Sequence, residues 1–91
     1  MDKNEVVSVV TTVGEFVGKF VESNNEGIKL KDPRMIVHAQ EGMGFSSGVC
    51  MSGVEGPDEV QFFSGSTVFT NKTNDSVANA YREFTGSVVL P

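Results

Sequence analysis

From Val6 to Val21 the chain carries a two-residue period that an α-helix cannot use. Val6 to Thr12 is a β-branched run, and such side chains lose rotamer freedom in a helix but pack well on a pleated surface. After Val13-Gly14, residues Phe16, Gly18 and Phe20 fall on one face, while Glu15, Val17, Lys19 and Val21 fall on the other. Two consecutive strands are therefore expected. Gly18 interrupts a good strand with a position lacking a side chain, which lets the backbone bend sharply, as small closed or nearly closed barrels require.

The remaining segments extend the same pattern. Ser23-Asn24-Asn25-Glu26-Gly27 holds residues that tolerate left-handed and turn conformations, and Ile28 and Leu30 then alternate with Lys29 and Lys31, so a hairpin is predicted. Asp32-Pro33 removes an amide donor and restricts the preceding residue, which predicts a kink or bulge before Met35 to Gln40 resumes an extended pattern. A fourth strand is expected around Phe45 to Ser52, a turn at Gly56-Pro57-Asp58, and further strands over Glu59 to Phe63 and Ser66 to Thr70. The period then changes. Val77, Ala80, Tyr81 and Phe84 recur at helical spacing, with Asn74 or Thr73 to cap the start and Gly86 to end it. So short a helix is marginal alone and must dock its apolar stripe on the barrel or on a neighbour, with Val88 to Leu90 as a further extended piece.

With 91 residues there is room for one domain with a thin core. The expected organisation is a barrel over 1–72, with a helix and extended tail over 73–91 belonging to the same domain. One cysteine, Cys50, cannot form an internal disulfide, the first residues are polar, and no apolar run approaches the roughly 20 residues that span a bilayer. A soluble protein of the cytoplasm, without a membrane partner, is the expectation. A net charge of -5 argues against coating duplex nucleic acid by bulk charge, but leaves room for a local basic patch.

The residue types that carry chemistry are sparse. Zinc needs about four converging ligands, and the chain offers one Cys and one His, so neither a metal nor another cofactor is expected. Cys50 reads as a small buried packing residue, not as a nucleophile paired with His38, and His38 as a half-exposed strand residue. Gly42-Met43-Gly44-Phe45-Ser46-Ser47-Gly48 lacks the spacing of a phosphate-binding loop and has no helix after it. Asp58 and Glu59 are adjacent on a turn and strand and read as surface charge. No catalytic constellation results, and the chain is not expected to be an enzyme. Lys29, Lys31 and Arg34 form the densest positive cluster, which reads either as a phosphate-binding stripe or as a solvated face opposite Ile28 and Leu30. Phe62, Phe63 and Phe69 offer stacking surfaces for bases but suit a buried core better.

Gly14-Glu15-Phe16-Val17-Gly18-Lys19-Phe20-Val21, the Asn-rich turn and Ile28-Lys29-Leu30-Lys31-Asp32 together resemble the first motif of Sm-like proteins. Phe63-Ser64-Gly65-Ser66-Thr67-Val68 is similar to their second motif. The distal part, with its Gly-x-Gly segment and the tail Ala80 to Gly86, looks like the divergent Sm-like proteins of marine phage and metagenome origin. The resemblance implies a small, strongly bent five-stranded barrel with a short C-terminal helix. It also implies a homo-oligomeric ring of about five to seven subunits, closed by head-to-tail pairing of edge strands. Such a ring binds single-stranded RNA, or DNA, near its pore; the two loops that coincide with the family's binding positions hold Asn24, Asn25, Ser64 and Gly65 here, with Lys29 and Lys31 as the nearby charges. Ser64 stands where the family has an arginine, so the family's uridine pocket is incomplete. Two functions are implied: processing or regulation of single-stranded nucleic acid in a phage context, or a phage assembly ring that holds protein partners.

Overall fold

A computed structural model describes residues 1–86. In it the period-two stretch becomes β1 (Val6–Thr11) and β2 (Gly14–Asn24), paired antiparallel from Val6 opposite Lys19 to Thr11 opposite Gly14. Next along the chain come β3 (Gly27–Ala39), β4 (Gly42–Phe45), β5 (Glu59–Phe63), β6 (Thr67–Lys72) and α1 (Asp75–Thr85). The sheet runs β4-β3-β2-β1-β6, and β5 pairs with the first part of β3. Every pairing is antiparallel.

The bend lies where Gly18 and Asp32-Pro33 meet. Between Val17 and Lys19 the β2 partner passes from Arg34 to Lys31, which leaves an extra residue on β3 at Asp32-Pro33. The expected kink is therefore a bulge, with Asp32 at φ 50°. A Cβ on Gly18 would lie 3.0 Å from the Pro33 Cα and 3.2 Å from Leu30, so the close approach of the two strands requires the missing side chain.

Both faces of β1 and β2 are covered at this end of the sheet. Val7, Val9, Phe16, Ile28, Leu30 and Phe62 form one cluster, with Phe16 and Phe62 edge to face at 5.1 Å between ring centroids. Val6 and Val17 point the other way and meet Ala78 and Tyr81 of α1. This helix is capped as its sequence predicts. The Asn74 side chain accepts from the Val77 amide, and Gly86 adopts the left-handed conformation at φ 73°. Tyr81 is fully buried and its hydroxyl donates to the Asp32 carbonyl at 2.6 Å, which ties the helix to the bulge. Arg34 adds a second tie, paired with Asp32 at 2.9 Å and set 5.4 Å from the Phe84 ring centroid.

Several expectations are corrected. Among the described residues six strands form instead of five, and the sheet they make does not close. β5 and β6 are joined by the short turn at Ser64–Ser66, yet among the described residues β5 pairs only with β3 and β6 only with β1. The strand expected over Phe45 to Ser52 is displaced to β4, because Gly42 to Phe45 turns back on Ile36 to Ala39 as a tight hairpin. The segment from Ser46 to Asp58 is a loop folded on itself, with the Gly56 amide donating to the Ser47 carbonyl at 2.8 Å. Cys50 lies in that loop and is exposed, because no strand carries it into the core. Among the three phenylalanines expected in the core, Phe62 is buried in the cluster, whereas Phe63, which alternates to the opposite face of β5, and Phe69 are each 55% exposed. His38 is exposed near the end of β3. The extended piece expected at Val88 to Leu90 lies outside the described residues.

Candidate nucleic-acid interface

Two turns meet at one end of the sheet. Asn24 and Asn25 belong to the turn between β2 and β3, and Ser64 and Gly65 to the turn between β5 and β6. The Ser64 amide donates to the Glu26 carbonyl at 2.8 Å, and Gly27 pairs with Phe63, so the turns form one continuous rim. Gly27 is indispensable to this approach. Its φ is +150°, and a Cβ there would lie 2.0 Å from the Phe62 carbonyl oxygen.

Asn24 organises the rim from within. Its Oδ1 accepts from the amides of Glu26 and Gly27, each at 3.0 Å, and its Nδ2 donates to Glu22 at 3.0 Å and to Gln61 at 2.8 Å. This is the side-chain turn that asparagine favours at such positions. Asn25, by contrast, is exposed. Ser64 and Gly65 are exposed too, and Gly65 has open space around its Cα.

Lys29 and Lys31 run from the rim along β3, on the face opposite the buried Ile28 and Leu30. Register sets their neighbours. Lys29 lies between Glu22 on β2 and Gln61 on β5, and Lys31 between Lys19 on β2 and Glu59 on β5. All six positions singled out from sequence thus occupy one strip. Two further members, Gln61 and Lys19, were missed. Lys19 alternates with Phe16 and Phe20 in a pattern already visible, but Gln61 carries no local signal, since only the pairing of β5 with β3 brings it beside Asn24.

The electrostatics are nearly balanced. Lys19, Lys29 and Lys31 are interleaved with Glu22, Glu26 and Glu59, so a single chain presents little net positive field to a phosphate. Among the described residues no group of three or more His, Cys, Asp or Glu side chains converges to hold a metal ion. None of the helices among them is long and apolar enough to cross a membrane. No family model matches the sequence, and no curated protein and no solved structure matches it either.

Proposed function

We propose that this protein is an Sm-like subunit that assembles into a homo-oligomeric ring of about five to seven copies and binds single-stranded RNA or DNA weakly along the joined rim. It acts by binding and not by catalysis, in processing or regulating nucleic acid in a phage context. The observation that carries the reading is the joining of the two turns, Asn24–Asn25 and Ser64–Gly65, through the Ser64 amide and Glu26 carbonyl. The edges of β5 and β6 that no other strand pairs among the described residues would supply the means of assembly, since unpaired strand edges are templates for pairing with a second chain. Repetition around a ring multiplies the few groups each subunit offers. Asn25, Ser64 and Gly65 would meet bases or sugars, Lys29 and Lys31 phosphates, and Asn24 would hold the turn.

Fluorescence anisotropy with labelled poly-U, poly-A and single-stranded DNA, at low and moderate salt, tests this. Salt-dependent binding is expected, and replacing both Lys29 and Lys31 by Ala should weaken it and flatten its salt slope. Absence of binding at tens of micromolar protein in low salt would overturn the nucleic-acid reading. The near balance of lysine and glutamate along the strip favours one alternative, a phage assembly ring whose partners are proteins.

A further inference from the structure

We propose that a groove beside the start of α1 binds a short segment of a partner protein in which an arginine or lysine lies between apolar residues. The groove has a volume of about 380 Å³ and is open to solvent, a size that takes a few side chains. Val10, Ile36, Met43, Phe69 and Val77 give it apolar walls, and Glu15 places one carboxylate among them.

Register fixes the arrangement. Val10 pairs with Phe69 on β6 and with Glu15 on β2, so the three share one face of the sheet, with Phe69 and Glu15 on either side of Val10. Two strand spacings separate those flanking residues by roughly 9.5 Å at the backbone. A cationic head lying over Val10 is therefore about 5 Å from both, within the range at which a ring face attracts a cation. The stem of an arginine or lysine, and its apolar neighbours, would cover Ile36 and Met43.

The charges around the groove favour a cation. The Glu15 carboxylate makes no hydrogen bond or ion pair among the described residues. Lys72 also lines the groove, and its ammonium is directed to Glu5 at 3.6 Å. Glu5 is itself held below the usual carboxylate range, first by the Asp2 amide and also by Lys72. Ser8 and Thr73 satisfy one another through a 2.7 Å hydroxyl contact. An anionic polymer would meet the unmatched Glu15 carboxylate. None of Asn24, Asn25, Lys29, Lys31, Ser64 and Gly65 lines the groove, so this surface stands apart from the rim.

The test uses the full chain and a fluorescein-labelled hexapeptide of alternating leucine and arginine, in about 0.15 M salt. Control peptides replace arginine by glutamate, or leucine by serine. The leucine-arginine peptide should bind at least about tenfold more tightly than either control. Glu15→Gln should weaken it about fivefold, and Phe69→Ala by about two- to fivefold, both with unchanged melting temperature. Replacing Lys29 and Lys31 by Ala should leave the peptide affinity unchanged while it weakens RNA binding. The proposal is overturned if the folded protein ignores the peptide, if the glutamate control binds equally well, or if Glu15→Gln has no effect. It is also overturned if the peptide competes only by dissociating oligomers, for a second copy would then be the occupant.

Discussion

At the scale of single residues, Tyr81 and Asn24 each do more than their sequence positions announce. The helical spacing of Val77, Tyr81 and Phe84 shows a docking stripe, but not that Tyr81 reaches the Asp32 carbonyl across the bulge. Tyr81→Ala should cost about 3 to 5 kcal/mol in chemical denaturation, as removal of a large buried ring does. Tyr81→Phe keeps the ring and should cost about 1 kcal/mol, the usual net value of such a hydrogen bond. Burial, with the Asp32 carboxylate adding to it, pushes the Tyr81 phenol well above the ordinary tyrosine range. Its protonated form is thus favoured in the folded state, and the unfolded chain releases that proton first as pH rises. Stability from this group is complete below about pH 10 and falls above it. Denaturation curves against alkaline pH should show this decline in the wild type and a shallower one in Tyr81→Phe. Asn24 was legible as a turn residue and as a candidate contact, yet both ends of its amide are occupied within the rim. Asn24→Ala should therefore lower stability by about 1 to 2 kcal/mol, measured by thermal melting, and not merely weaken a ligand.

At the scale of elements, the parts of the fold that come from local period were legible and those that come from partnership were not. β1, β2 and the capped helix are set by β-branching, alternation and the Asn74 and Gly86 caps, which act within a few residues. The Gly-rich stretch after Ala39 carries weak local preference, so the Ile36 to Ala39 pairing decides that Gly42 to Phe45 is a strand and Ser46 onward a loop. The bend was legible in Gly18, but its cause is tertiary: Pro33 and Leu30 occupy the space where a side chain would be. Gly18→Val should destabilise by about 1 to 3 kcal/mol through overpacking, and the loss should appear in urea unfolding as a lower midpoint with an unchanged slope. In the candidate strip, Lys29, Lys31 and the two turns were legible because each lies in a recognisable segment. Gln61 was not, because its place beside Asn24 depends on a pairing between residues far apart in sequence.

At the scale of the whole molecule, β5 and β6 meet at one turn, and among the described residues an edge of each is unpaired, with Phe63 55% and Val68 63% exposed on those strands. A small domain with a thin core gains stability by burying such surface, and in the proposed ring the β5 edge of one copy would pair head to tail with the β6 edge of the next, a contact that closes when the rotation between copies allows. The proposed function depends on this step, since the rim of one chain is nearly neutral and only repetition makes it an extended binding surface. Lysine on an edge strand blocks pairing with another chain while leaving the isolated fold intact. Assembly through these edges is read by sedimentation equilibrium at micromolar protein, on the wild type and on the Phe63→Lys, Val68→Lys double variant. The wild type should sediment as a single species of about five to seven chain masses, and the variant as a folded monomer. A wild type that sediments only as monomer would contradict ring assembly and the function built on it.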